Sequence, residues 1–194
     1  LYLIELFPHQ VWKMEMTDGI RQALQEGSDS LRAYYEKAGI LVARPAKGSS
    51  CTLAVSAKGG NNAENHNHND IGSYAVALGK CTMVGDQGGP FSYPGDYFSA
   101  EAPEKYKIKG SFGSSSSGIV DGKTQSSGAK ASAIVLKKEF TDVKDLLSID
   151  YTSAYSTPSL DKLVRTFVYD RQGKGSFTVG DELRPMHLSG SKQP

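Results

Sequence analysis

The pattern of apolar and polar positions divides the chain near Gly39. Before that point the pattern is helical. Residues 19–27 form a short helical run that ends at a glycine, and Ser28 stands as the N-cap of a second run whose larger side chains recur three and four residues apart. We therefore predict a short helical segment over residues 1–38, either a linker or the remnant of a preceding helical domain.

Beyond Gly39 the period becomes that of strands. Short apolar or alternating runs are separated by glycine, proline and polar turns. The predicted strands cover residues 39–44, 51–57, 71–78, 81–84, 106–109, 131–137, 146–151, 163–169 and 177–179. Strands at this spacing are typical of a sandwich. We predict an all-β fold, an antiparallel β-sandwich of two packed sheets, over residues 39–194.

Composition supports a β-rich protein and excludes several classes of function. The chain has 21 Gly and 10 Tyr, which suits many turns and short strands. Lys and Arg number 22 against 21 Asp and Glu, so the net charge of +1 offers no broad basic field for nucleic acid. No apolar run approaches the roughly 20 residues that a membrane span needs. Two cysteines, Cys51 and Cys81, exclude a disulfide scaffold and leave open whether they pair.

One polar segment, residues 58–74, carries most of the candidate chemistry. It contains His66, His68 and Asp70 among several asparagines. Because every buried amide needs a hydrogen-bond partner, we expect this segment at a sheet end or in a cleft. On an extended stretch the three side chains share one face, and imidazole and carboxylate are typical zinc ligands. The alternative is a polar turn in which the histidines only satisfy backbone groups.

Two familiar motifs fit this chain poorly. The metallo-β-lactamase pattern His-x-His-x-Asp-His fails at its last position, where Ile71 stands, and only His9 and His187 remain to supply further ligands. A phosphate loop fails over residues 118–124, because three residues instead of four separate the glycines. The serine-rich run at residues 114–117 is predicted to be a flexible loop.

A third pattern fits better. Residues 65–74 read His-x-His-x-Asp-x-Gly-Ser-aromatic from His66 onward, and with residues 84–89 they resemble the β-sandwich domain of the heparinase II/III-like polysaccharide lyases. Weaker matches follow in the family's order at residues 35–45, 119–125, 146–155 and 164–169, the last followed by Asp181. The resemblance covers Tyr35 to Leu183.

The resemblance implies an enzyme that cleaves uronic-acid polysaccharides by β-elimination. In that reaction a base removes the proton at C5 of the uronic acid and an acid protonates the departing O4 oxygen, work that suits His and Tyr. It implies that His66 faces the cleft, that Tyr93 or Tyr97 faces the substrate, and that Asn65 and Asn67 contact the substrate. The family's main catalytic His and Tyr lie on a preceding helical domain. We therefore expect this chain to be part of a larger parent and to be inactive alone.

The resemblance also implies a structural zinc ion. His68 and Asp86 align with two of its ligands, and Asp70 aligns with a carboxylate that orients the loop or His68. The third ligand of the family is a histidine, but the corresponding place is Ser115 or a neighbour in residues 114–117. With only two protein ligands, zinc needs water or another group to reach four-coordination.

Two other functions stay open. The domain is alternatively a non-catalytic carbohydrate-binding or interaction module whose metal site has degenerated, which the serine run at residues 114–117 favours. The third hypothesis is a metal-dependent hydrolase. The family resemblance implies a periplasmic or secreted protein, although residues from Leu1 onward show no signal-peptide pattern.

Overall fold

The computed structural model describes residues 30–64, 68–85 and 118–186. These residues form eleven strands and one turn of 3-10 helix at Thr152–Ala154. The strands are β1 Arg32–Tyr35, β2 Ile40–Ala43, β3 Leu53–Lys58, β4 Asn61–Asn62, β5 Tyr74–Leu78, β6 Cys81–Val84, β7 Gly128–Ser132, β8 Ile134–Phe140, β9 Lys144–Asp150, β10 Leu160–Asp170 and β11 Ser176–Pro185. Among these residues no helix is long and apolar enough to cross a membrane.

Two antiparallel sheets bury a common core. The first sheet has the strand order β1-β2-β3-β5-β6 and the second has the order β11-β10-β9-β8, while β4 and β7 pair by themselves. The first sheet contributes alternate residues such as Leu41 and Val55, and the second contributes Leu147, Ile149 and Phe167. The prediction of an all-β antiparallel fold is confirmed.

Most predicted strands are found with shifted ends. The predicted strand 71–78 begins only at Tyr74, because the chain turns at residues 71–72, where Gly72 has a φ of +85°. The predicted strand 131–137 is two strands, β7 and β8, with Ala133 between them. The hairpin of β5 and β6 is confirmed. The predicted strand 106–109 lies outside the described residues.

The helical prediction after Ser28 is wrong where the structure tests it. Arg32–Tyr35 is strand β1, paired in register with all of β2. A helix this short gains little stability alone, whereas β1 gains a strand partner and places Arg32 against Asp145 of the second sheet. The rest of the helical prediction, residues 1–29, lies outside the described residues, and the domain boundary at residue 38 stays a prediction.

The inward face of β10 carries polar side chains as well as apolar ones. From Leu163 to Tyr169 every second residue is buried, Val164 is buried as well, and residue 171 continues the alternation past the strand end. Three of these side chains cross to backbone carbonyls on the first-sheet side. The Nη1 atom of Arg165 donates to Gly72 O at 2.7 Å, the Tyr169 hydroxyl donates to Leu53 O at 2.5 Å, and Nε of Arg171 donates to Arg44 O at 2.7 Å.

A buried carboxylate closes one end of the sandwich. Asp145 is 1% exposed and accepts hydrogen bonds from Arg171 and from Nε of Arg32, the latter at 2.7 Å. Arg32 belongs to the first sheet and Asp145 to the second, so this ion pair joins the sheets. Arg171 also lies 4.7 Å from the ring centre of Tyr169. Of the two cysteines, Cys51 is buried near Tyr169, Cys81 is exposed, and both are free.

We expect Asp145→Asn to destabilise the protein by about 3–5 kcal/mol, because the substitution leaves two guanidinium groups without their buried counter-charge. Urea unfolding measures the effect. The control is Glu139→Gln, whose exposed ion pair with Lys137 contributes less than about 1 kcal/mol. Equal losses for the two variants contradict the structural role of Asp145.

Candidate functional site

The structure describes only part of the predicted site. His68 and Asp70 lie in the turn that precedes β5, which we call the histidine loop and define as residues 68–73. The other predicted site residues lie outside the described residues. These are Asn65, His66, Asn67, Asp86, Tyr93, Tyr97 and the serine region around Ser115.

Residues 70–73 of the histidine loop lie in the core, whereas residues 68 and 69 are partly exposed. Ile71 in its middle is fully buried, and Asp70 and Ser73 are 9% exposed each, while His68 is half-buried. The loop runs past the end of β3, where Lys58 N donates to Ser73 O at 2.9 Å and Gly72 N donates to Lys58 O at 2.8 Å. Burial of the apolar Ile71 side chain therefore keeps the middle of the loop in the core, although most of the other side chains of the loop are polar.

Asp70 is held by a lysine and a serine. Its carboxylate forms an ion pair with Lys58, and Ser73 Oγ donates to Asp70 Oδ2 at 3.3 Å. Both partners of the ion pair are largely buried, at 17% and 13% side-chain exposure. Asp70 thus neutralises the Lys58 ammonium group and ties the loop to the end of β3.

The side chain of Gln125 forms hydrogen bonds with the backbone of the loop. Its Oε1 atom accepts from Ile71 N at 2.9 Å, and its Nε2 atom donates to Ile71 O at 2.6 Å. The same Oε1 atom accepts from Asn62 Nδ2 at 3.1 Å, and Asn69 Nδ2 donates to Gln125 O at 3.4 Å. Gln125 is 3% exposed, so this amide pairs both backbone groups of Ile71 away from solvent.

Arg165 of β10 binds the loop from the second sheet. Its Nε and Nη2 atoms donate to the two carboxylate oxygens of Asp181, both at 2.7 Å, and its Nη1 atom donates to Gly72 O. The guanidinium lies 5.7 Å from the ring centre of Tyr151 and 5.9 Å from that of Tyr74. Burial disfavours the charged guanidinium and by itself lowers the pKa of Arg165. The hydrogen bonds with Asp181, helped by nearby Tyr151 and Tyr74, have the larger combined effect, so the pKa of Arg165 lies above its usual value.

The segment that carries Gln125 is itself anchored. Tyr155 donates its hydroxyl to Gly118 O at 3.0 Å, and Thr157 donates to Asp121 Oδ2 at 3.0 Å. Burial raises the pKa of Tyr155, against a smaller lowering by its hydrogen bond with Gln125. Tyr155 therefore stays a neutral hydrogen-bonding group at physiological pH and keeps this segment against the 3-10 turn.

His68 is attached to a loop whose backbone is held in place. Hydrogen bonds fix the backbone of residues 71–73, and His68 is the partly exposed first residue of the same loop. Within residues 30–64, 68–85 and 118–186, no three His, Cys, Asp or Glu side chains lie close enough to hold a metal. His68 is the one histidine among the described residues, and its imidazole can supply a nitrogen ligand.

Sequence reasoning missed the buried residues that hold the loop. Gln125, Arg165 and Asp181 entered only as parts of weak motif matches, with no role assigned. A signal existed for Arg165, because a charged residue at an inward strand position requires a buried partner. For Gln125 no comparable local signal exists, since glutamine is common in loops.

Comparisons with known proteins support the fold. The chain is similar to the crystal structure of a heparan sulfate lyase HepC mutant from Pedobacter heparinus, with a TM-score of 0.61 and 18% sequence identity. The match covers 86% of this chain and 25% of the lyase, so the chain spans about a quarter of that protein. No protein-family model matches the sequence. No curated protein sequence matches it either. The similarity establishes a shared heparinase-like fold.

We expect Gly72→Ala to destabilise the protein more than Gly79→Ala. Both glycines have positive φ, so each alanine carries a backbone strain of about 1–2 kcal/mol. At Gly72 the new Cβ also meets the ring of Tyr151 at 3.3 Å, whereas nothing lies within 4 Å at Gly79. Thermal unfolding of both variants measures the difference, and equal shifts in Tm contradict close packing of the loop on Tyr151.

Proposed function

We propose that this chain is the β-sandwich domain of a polysaccharide lyase that cleaves uronic-acid-containing polysaccharides by β-elimination. One combined observation carries the proposal. A heparinase-like fold holds His68 and Asp70, the described part of the His-x-His-x-Asp pattern, on a loop fixed by buried polar contacts. Heparan sulfate, the substrate named for the similar lyase, is an acidic polysaccharide of this class.

The proposed reaction needs a base, an acid and a stabilised anion. The base removes the C5 proton of the uronic acid, the electron pair forms the C4–C5 double bond, and the C4–O4 bond breaks as the acid protonates O4. We assign His66 and one of Tyr93 and Tyr97 to the cleft, with Asn65 and Asn67 as substrate contacts. The principal acid and base belong to a helical domain of a longer parent chain, so the chain alone is inactive.

Zinc at His68 and Asp86 is part of the proposal. A bound zinc ion supplies a structural cross-link between the histidine loop and the segment after β6. Of the two proposed ligands only His68 lies among the described residues, where Asp70, the expected orienting carboxylate, contacts Lys58 and Ser73. No step of the elimination is assigned to the metal.

A carbohydrate-binding module without catalytic activity is the second candidate. The observation that favours it is the serine run at residues 114–117, where the family pattern has a ligand histidine. A metal-dependent hydrolase is the third candidate, and two metal ions bound per chain would favour it. By the same family resemblance, we propose a periplasmic or secreted location.

We expect the full-length parent to release unsaturated uronate from an acidic polysaccharide. The assay follows the ultraviolet absorbance of the new double bond on heparan-type, alginate and other uronate polymers. In that protein His66→Ala lowers kcat by about 10²–10⁴-fold, the usual contribution of a proton-transfer group, without a matching loss of stability. Glu139→Gln, an exposed change in β8, is the control. Silence of the folded parent on every polymer, combined with calorimetric oligosaccharide binding, supports the binding module instead.

We expect elemental analysis of the purified parent to find one zinc ion per chain, because His68 and Asp86 form one site. His68→Ala reduces the zinc content, whereas Cys81→Ser, at an exposed free thiol, leaves it unchanged. Two metals per chain support the hydrolase, and zinc retained in the His68 variant removes His68 from the ligand set.

A further inference from the structure

Three consecutive loop residues are each held by a different structural element. Asp70 pairs with Lys58 at the end of β3, Ile71 pairs with Gln125, and Gly72 accepts from Arg165 of β10. Every one of these contacts is made by a charged or amide side chain at a largely buried position. Gln125 and Arg165 therefore supply hydrogen-bond partners to the loop backbone, and Lys58 holds the loop through the Asp70 side chain.

Gln125 replaces a neighbouring strand for Ile71. In a sheet, both the N–H and the C=O of a residue pair with the backbone of an adjacent strand. Here a single amide side chain supplies both partners, at 2.9 Å and 2.6 Å. The amide oxygen can only accept a hydrogen bond and the amide nitrogen can only donate one. The pairing therefore fixes the position of the Ile71 backbone and also the direction in which its N–H and C=O groups point.

Arg165 fixes the next peptide in a similar way. The bidentate contact with Asp181 orients the guanidinium plane, and the remaining Nη1 then points at Gly72 O. In β10 and β11 the two residues lie directly opposite each other, so the strand register aligns the pair. A lysine at position 165 has no fork with which to bind Asp181 and Gly72 O simultaneously.

We propose that Gln125 and Arg165 are positioning residues of the active site, setting the placement of the histidine loop and through it the imidazole of His68. This inference rests on the proposed lyase function and adds two residues to it. These contacts also stabilise the fold, since each backbone group of Ile71 or Gly72 left buried without a partner costs about 1–3 kcal/mol, so a positioning role must show in kcat beyond the loss of stability. A displacement of about 1 Å caused by a substitution far from the reacting atoms can cost about 10²-fold in rate, so precise placement of the loop has a kinetic consequence.

The test compares Gln125→Met and Gln125→Glu in the full-length parent. Methionine keeps the length of the side chain and removes both hydrogen bonds to Ile71. Glutamate keeps the acceptor for Ile71 N and loses the donor to Ile71 O. We expect kcat on the uronate polymer to fall by about 10–100-fold for Met and less for Glu, with KM changing by less than about threefold.

Amide hydrogen exchange gives a second readout that does not depend on activity. We expect faster exchange at Ile71, Gly72 and Ser73 in Gln125→Met, with exchange in β9 and β10 unchanged. The control is Ser148→Ala, which removes the 2.9 Å contact between Ser148 Oγ and Thr166 Oγ1 and leaves the loop contacts intact. We expect Ser148→Ala to keep the wild-type kcat and the wild-type rates of amide hydrogen exchange in the histidine loop.

Each outcome decides between the alternatives. Wild-type kcat and wild-type loop exchange in both Gln125 variants overturn the proposal, and a loss of Tm alone assigns Gln125 a structural role only. If Gln125→Met does not fold, Gln125→Glu and Arg165→Lys provide the same comparison. If the wild-type parent shows no lyase activity, the proposed function fails, and loop exchange then shows whether Gln125 and Arg165 still hold the loop.

Discussion

The sandwich depends on buried hydrogen-bond donors that cross from the second sheet to backbone carbonyls on the side of the first. A carbonyl buried without a partner costs about 1–3 kcal/mol, and strand pairing does not reach the carbonyls at strand ends and loops. Strand β10 and the residue after it supply the donors, because Arg165, Tyr169 and Arg171 occupy inward positions at a period of two. Each arginine is neutralised by a carboxylate, Asp181 at one position and Asp145 at the other. The two sheets are thus locked by polar contacts as well as by the apolar core.

The same principle explains how an irregular loop lies inside the fold. The histidine loop passes Ile71 into the core, where its peptide groups have no adjacent strand to pair with. Gln125 and Arg165 provide those partners, and the anchored segment behind Gln125 keeps the amide in place.

Periodicity predicted the strands well where the local pattern was strong. The apolar run of β2 and the alternation of β10 are local properties of the chain, so their strands were evident in the sequence. β1 was not, because its side chains also fit a helical spacing and its strand state depends on pairing with β2 and on Asp145, 113 residues beyond Arg32. The polar histidine segment was also evident, but its neighbours were not, because Gln125 and Arg165 are distant in sequence.

By itself the sequence determined the all-β class, the place of most strands and the polar segment that carries the candidate chemistry. Each of these follows from interactions within a few residues, such as side-chain alternation and turn formation. Only the tertiary structure decided what holds that segment. The contacts of Ile71 with Gln125 and of Gly72 with Arg165 span 54 and 93 residues, and they exist only once the two sheets have packed. The physical reason is that a buried polar group needs a hydrogen-bond partner that is close in space. The local sequence pattern does not specify which distant residue will be close once the chain has folded.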